Sequence, residues 1–217
     1  MYWFLDHLTG QHQRLLDHSH RHLDERIARN PPDILDCFSS RAYLRSARFL
    51  ADANQGLASA LSTLHFHIAK TGIIPSPKRD FAKQQLFYEA RMKPYLTVEN
   101  DRIPSALDFA NAKQVAFSLS TAEACEIVES SIKTARGAIA ELKKIGPEDG
   151  KYVGTEEQYK KELKQLETTC VAVVVNVSQL RRLAEKFGED EVEGKVACTM
   201  EKRWHAWWVV PVVKEKT

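Results

Sequence analysis

The sequence predicts an all-α fold: an array of long antiparallel helices with an irregular aromatic and proline-punctuated segment in its middle and an extended aromatic C-terminal tail. Three observations carry this prediction. Apolar residues recur at three- and four-residue steps over four long stretches, the period of one helix face. The breaks between those stretches fall at proline and glycine. Two of the stretches open on a Ser/Thr-x-x-Glu/Gln box, the sequence mark of a helix start.

The first stripe, Trp3, Phe4, Leu5, Leu8, Leu15, Leu16, Leu23 and Ile27, begins with almost no lead-in. It predicts a helix from residue 3 to Arg29, halted at Asn30-Pro31-Pro32, where proline removes a donor and clashes with the preceding turn. A helix that starts so abruptly leads us to expect a chain whose natural beginning lies further upstream. The second stripe, Leu44, Ala47, Leu50, Ala51, Leu57, Leu61, Leu64 and Ile68, runs to Gly72. Its small residues Ala47, Ala51, Ala53, Ala58 and Ala60 allow a second helix to approach closely.

Residues 72–109 break this pattern and gather Phe81, Phe87, Tyr88, Met92, Pro94, Tyr95 and Phe109 around Glu89, Arg91 and Lys93. A long helix is predicted to open at Ser120, boxed by Glu123, and to end at Gly146-Pro147. The last stretch runs from Thr155, with Gln158 as box partner, through Tyr159, Leu163, Leu166, Cys170, Val174, Val177, Leu180 and Leu183 to Gly188. It would be about 50 Å long. The run Val171-Ala172-Val173-Val174-Val175 inside it is β-prone, but the three-and-four spacing enters and leaves it in register, so helix is predicted. Residues 189–203 are charged and carry no clear element, and the tail 204–213, with Trp204, Trp207 and Trp208, reads as extended. One helical domain over residues 1–217 accounts for all of this.

Composition narrows the function. A formal charge of +2, with 28% charged residues of both signs, gives no broad attraction to nucleic acid or anionic membrane. The longest apolar run, 206–213, is too short to cross a bilayer. The cysteines Cys37, Cys125, Cys170 and Cys198 are widely spaced and read as free thiols of a reducing, cytoplasmic setting. His18 and His22 lie one turn apart and can share a helix face, with His12 six residues earlier, but no Cys-x-x-Cys or His-Glu-x-x-His pattern completes a zinc site. Cys170 and His205 are the pair to consider for nucleophilic catalysis, although Cys170 lies on an apolar stripe, where thiols are inert. No glycine-rich phosphate loop is present, so neither cofactor, catalytic residue nor metal ligand is expected. A helical adaptor protein, or less readily a helical enzyme using His18, His22 or Cys170, are the alternatives that the residues leave open.

Two blocks carry a family resemblance. The segment QQLFYEARMKPY, with Gly72, Phe81, Pro104 and Phe109 around it, resembles the C-terminal region of the Mak10 family, the large auxiliary subunit of the NatC N-terminal acetyltransferase. The family pattern there is close to E-Q-x-R-Y-E-x-R-F-x-P-F. Gln85, Tyr88, Glu89, Arg91 and Pro94 match it, Tyr95 stands for the last phenylalanine, and Gln84, Phe87 and Met92 depart from it. The ending, His205, Trp207 and Trp208 followed by Pro211-Val212-Val213-Lys214, is similar to the family's H-x-aromatic-aromatic-P-V-V-K, with Val209 and Val210 inserted.

The resemblance implies the last part of a longer, non-catalytic helical scaffold. It implies as partners a catalytic acetyltransferase subunit that binds acetyl-CoA, a small Sm-like subunit and the ribosome, and no membrane. The substrates would be nascent chains beginning with Met and a hydrophobic residue. Tyr88, Glu89, Arg91, Pro94, Tyr95, His205, Trp207 and Trp208 are the expected partner or core anchors.

Overall fold

The structure is a computed structural model whose described residues are 1–29, 34–74, 81–93, 104–149, 156–189 and 191–216, with side chains described throughout except at 34–39, 81–84, 91–92 and 146–149. In chain order the elements are α1 (Tyr2–Arg29), α2 (Ile34–Lys70), α3 (Phe81–Met92), α4 (Ala106–Ser118), α5 (Thr121–Asp149), α6 (Glu156–Phe187), α7 (Val192–Lys195), β1 (Val196–Glu201) and β2 (Val210–Glu215).

Four long helices stack in succession, each antiparallel to the last. Along α1 and α2 the contacts run in opposite directions: Asp24 pairs with Arg41, Asp17 with Arg48, and Gln13 donates to Asp52. The same holds between α2 and α5, where Arg45 faces Glu141, Ser59 faces Ser131 and His67 faces Thr121. It holds again between α5 and α6, where Lys143 meets Glu167 and Arg181 meets Glu129. The ion pairs among these contacts are exposed and set register more than they add stability, whereas His67–Thr121 is buried.

The stability comes from the stripes. Leu57, Leu61, Leu64 and Ile68 of α2 pack with Val128, Ile132 and Ile139 of α5 and Leu166, Val173, Val177 and Leu180 of α6 in one buried cluster. Each such side chain contributes about 1.5–3 kcal/mol on leaving water. The alanines expected to permit close approach do so, since Ala53, Ala58 and Ala60 are fully buried. The tightest contact is at Gly56, where a Cβ would sit 2.6 Å from the carbonyl oxygen of Ser131 and 2.9 Å from the Ala135 methyl.

The predicted start of α5 is present in full. Ser120 N–H donates to Glu123 Oε2 at 2.8 Å and Glu123 N–H to Ser120 Oγ at 3.2 Å. The β-prone valine run is helical, inside α6, as the register argument required. Gly72 and Gly188 close α2 and α6 with φ of 72° and 83°, a conformation that costs a side chain-bearing residue energy. The box partner Thr155 lies outside the described residues.

Three features differ from the sequence expectation. Helix α5 continues through Gly146-Pro147 to Asp149, because a proline in the last turn sacrifices only one backbone bond. Residues 81–92, within the segment 72–109 expected to be irregular, form α3, and residues 106–118, from its end into the unassigned stretch before Ser120, form α4, capped by a reciprocal Ser105–Asp108 box. The third is an unforeseen hairpin. The charged stretch supplies α7 and β1, and β1 pairs antiparallel with β2 in the tail, with Cys198 opposite Val213. The hairpin lies against α6 through β2.

Candidate protein-interaction surface

Two aromatic clusters organise the surface. In the first, Phe109 of α4 is the hub: Trp3 of α1 meets it edge-on at 5.3 Å, Phe66 of α2 at 5.8 Å, and Tyr88 of α3 stacks on it at 6.1 Å. The Tyr88 hydroxyl donates to the carbonyl of Pro104, which ties α3 to the start of α4. Burial raises the Tyr88 phenol above its ordinary pKa, with help from nearby Asp108. Around this cluster Leu86, Phe87, Leu107 and Val115 point into solvent.

The second cluster is the tail. His205 is buried, its Nε2 3.1 Å from Glu162 Oε1 on α6, while its Nδ1 accepts the backbone N–H of Trp207 at 3.0 Å. Accepting at Nδ1 leaves Nε2 as the donor, so the two contacts fix the neutral tautomer. The clamped turn drives Trp208 inward, 4% exposed, and Trp207 outward, 78% exposed. Trp208 stacks on Tyr2 at 5.6 Å, and the Tyr2 hydroxyl accepts the Val209 N–H at 2.7 Å. The C-terminal tail is thereby bolted to the first helix.

Of the residues expected as anchors, the structure turns Tyr88, His205 and Trp208 onto this chain's own side chains. Glu89 is exposed and accepts from Gln85 one turn earlier at 2.8 Å. Trp207 alone of the placed aromatic anchors faces outward. The Arg91 side chain, Pro94 and Tyr95 lie outside the described residues. Sequence reasoning missed Tyr2, Phe109 as a hub and the Glu162–His205 contact. A tyrosine at the second position and an acid inside a helix carry no local sign of such roles.

The alternatives involving chemistry find little to work with. Burial pushes the Cys170 thiol up to about 12 and Cys198 up to about 11, so neither is an activated nucleophile near neutrality. His205 faces Glu162 rather than a thiol. Among the described residues no group of three or more His, Cys, Asp or Glu side chains could hold a metal ion. His18 and His22 line an open groove between α1 and α2 with Arg26, Tyr43 and Leu44. No helix among the described residues is long and apolar enough to cross a membrane.

Long helices stacked antiparallel, each packing on the next, define an all-α class of fold. A family model described as NAA35-like, TPR repeats, matches residues 1–211, and the chain belongs to that family. Among solved structures, a chain from the "Crystal structure of the NatC complex bound to Gag peptide and CoA" has the same fold, with a TM-score of 0.74 at 14% sequence identity. The superposition takes in 100% of this chain and 37% of that one, so this chain spans little more than a third of its length. No curated protein matches by sequence.

Proposed function

We propose that this chain is part of the non-catalytic auxiliary subunit of a NatC-like N-terminal acetyltransferase, a scaffold that holds the acetyltransferase subunit in its working position. The observation that carries the reading is the family match over residues 1–211. The fold shared with a chain of a NatC complex supports it, as do the buried, unactivated thiols. The 37% coverage of that neighbour supports reading the chain as one part of a longer scaffold; its place at the C-terminal end rests on the resemblance of the two sequence blocks.

In this reading the stack of α1, α2, α5 and α6 supplies a stiff frame, and the exposed residues of its rim supply the contacts. Trp207 is the foremost candidate, since an aromatic held rigidly in solvent is the kind of side chain that dominates an interface. The acetyltransferase subunit, carrying acetyl-CoA, is the first partner. A small Sm-like subunit, the ribosome and a cytoplasmic site of action on Met-hydrophobic N-termini complete the proposal. Affinity capture of the full-length parent, with mass spectrometry of what comes with it, is the test. Recovery of an acetyltransferase subunit in stoichiometric amount is expected; its absence would defeat the reading and leave a helical adaptor of another kind.

A further inference from the structure

We propose that the groove between α6 and β2 receives an acidic amphipathic helix of the acetyltransferase subunit, an inference that rests on the scaffold reading above. The groove holds about 550 Å³. Its walls carry Val171 and Val175, one turn apart on α6 and 48% and 60% exposed, facing Trp204 and Val212 across the floor. Two adjacent β-branched side chains left in water inside a concave surface cost free energy that a partner's apolar face recovers.

The charged side chains that line the groove have one sign, while Glu167, one turn before Val171, pairs instead with Lys143 of α5 at 2.8 Å. Arg203 and Lys214 line the groove, and among the described residues lining it there is no carboxylate. On the exposed stripe of α6, Lys164 precedes Val171 by two turns and Arg182 follows Val175 by two turns, each about 10 Å away. Arg203 lies over the Trp204 ring at 4.3 Å, which holds its guanidinium at the groove although it also pairs with Glu201. An apolar centre with a basic rim complements an apolar stripe flanked by Asp and Glu. It does not suit a nucleic acid, whose phosphates gain nothing from two valines.

The backbone decides between a helix and a strand. Lys216 N–H donates to Lys195 O inside the hairpin, so with Cys198 opposite Val213 the N–H groups of residues 211 and 213 point away from β1. Residue 211 is proline and has none, and the Val213 N–H is taken by Asn176 Oδ1 at 3.0 Å. Asn176 is fixed in turn by donating to Ala172 O at 2.8 Å. This edge therefore offers an incoming strand no donor at either position. Of the outward donors of β2 only the Glu215 N–H, on its last residue, remains, so recognition rests on side chains, as when a helix seats in a groove.

The test is co-purification of the full-length parent with its acetyltransferase subunit, comparing the natural sequence with Val171→Glu/Val175→Glu, Val171→Ala/Val175→Ala and Lys214→Glu. Leu15→Glu on the far face of α1 serves as a control for an added exposed acid. All the substituted positions are exposed, and a thermal melt of each variant checks that the fold is kept. The double glutamate variant is expected to lower recovery about tenfold or more. The double alanine variant should lower it less, Lys214→Glu should make binding weaker and less salt-sensitive, and Leu15→Glu should change nothing. Undiminished recovery with the double glutamate variant would overturn the groove while leaving the scaffold reading intact. Failure of the natural sequence to recover the subunit would overturn both. Loss with Lys214→Glu but none with the alanine pair, together with loss of recovery by the natural sequence after nuclease treatment and its return when RNA is added back, would replace the helix with a nucleic acid and overturn the proposal.

Discussion

The hydroxyl of Tyr2 accepts the backbone N–H of Val209 across 207 residues of sequence, at 2.7 Å, and lies 3.4 Å from the Val209 carbonyl. One side chain thus answers both backbone groups of a residue in the tail. The same ring stacks on Trp208 and leans on His65 at 5.1 Å, so α1, α2 and the tail share one joint.

Removing that hydroxyl tests the joint. Tyr2→Phe keeps the stacking and leaves the Val209 N–H unanswered, which should cost about 1–3 kcal/mol. Urea unfolding followed by tryptophan fluorescence measures it. Equal stability of the variant would show that the tail is held by packing alone.

Gly56 of α2 and Gly137 of α5 stand in opposite surroundings, the first pressed against Ser131 and Ala135 and the second open. Gly56→Ala should destabilise by about 1–3 kcal/mol, since the new methyl meets the Ser131 carbonyl and Ala135 at less than van der Waals distance. Gly137→Ala has nothing within 4 Å of its Cβ and should stabilise by up to about 1 kcal/mol through helix propensity. Opposite shifts in the denaturation midpoint are the expected result.

Two histidines, His65 half-buried and His67 buried, make stability depend on pH. Burial lowers the pKa of His65, against the pull of its hydrogen bond to Leu61 O, and lowers that of His67, with Lys70 adding to the effect and Glu189 opposing it. His67 Nδ1 is buried without a hydrogen-bond partner, so a proton there would find no acceptor. The unfolded chain binds these protons more readily than the fold does. The stabilisation is therefore complete above the ordinary imidazole pKa of about 6.5 and is lost as pH falls below it. Melting temperature should drop from pH 7.5 to pH 5.5, and His67→Gln should narrow the drop. A profile unchanged by that substitution would assign the pH dependence elsewhere.

The Cys125 and Cys170 thiols should be silent in the native state. Cys170 is buried with its pKa near 12, and burial also raises Cys125 and Cys198. Alkylation at pH 7.5, read by peptide mass spectrometry, should leave Cys170 and Cys125 unmodified until denaturant is added. Rapid native labelling of Cys170 would revive the enzyme alternative.

What could be read in the sequence was what local periodicity dictates. The phase of Leu163, Leu166, Cys170, Val174 and Val177 carried α6 through a run of valines, and Ser120 with Glu123 marked where α5 begins. The hairpin was hidden because β1, VACTME, is short and is defined by its partner in the tail rather than by its own composition. Gly56 reads in sequence as a helix-weakening residue, and only the approach of Ser131 shows why it is needed. At the surface, the aromatic character of residues 205–208 was visible, but which tryptophan faces out depends on Glu162 holding His205 from another helix. Helices α3 and α4 were obscured by the prolines between and before them.

The most direct measurement of the central claim is acetyl transfer from acetyl-CoA to a peptide beginning Met-Leu, with the acetyltransferase subunit assayed alone, with the full-length parent, and with the parent alone. A scaffold predicts no transfer by the parent alone and a raised rate for the pair over the catalytic subunit by itself. Transfer by the parent alone, or a pair no faster than the catalytic subunit, would contradict it.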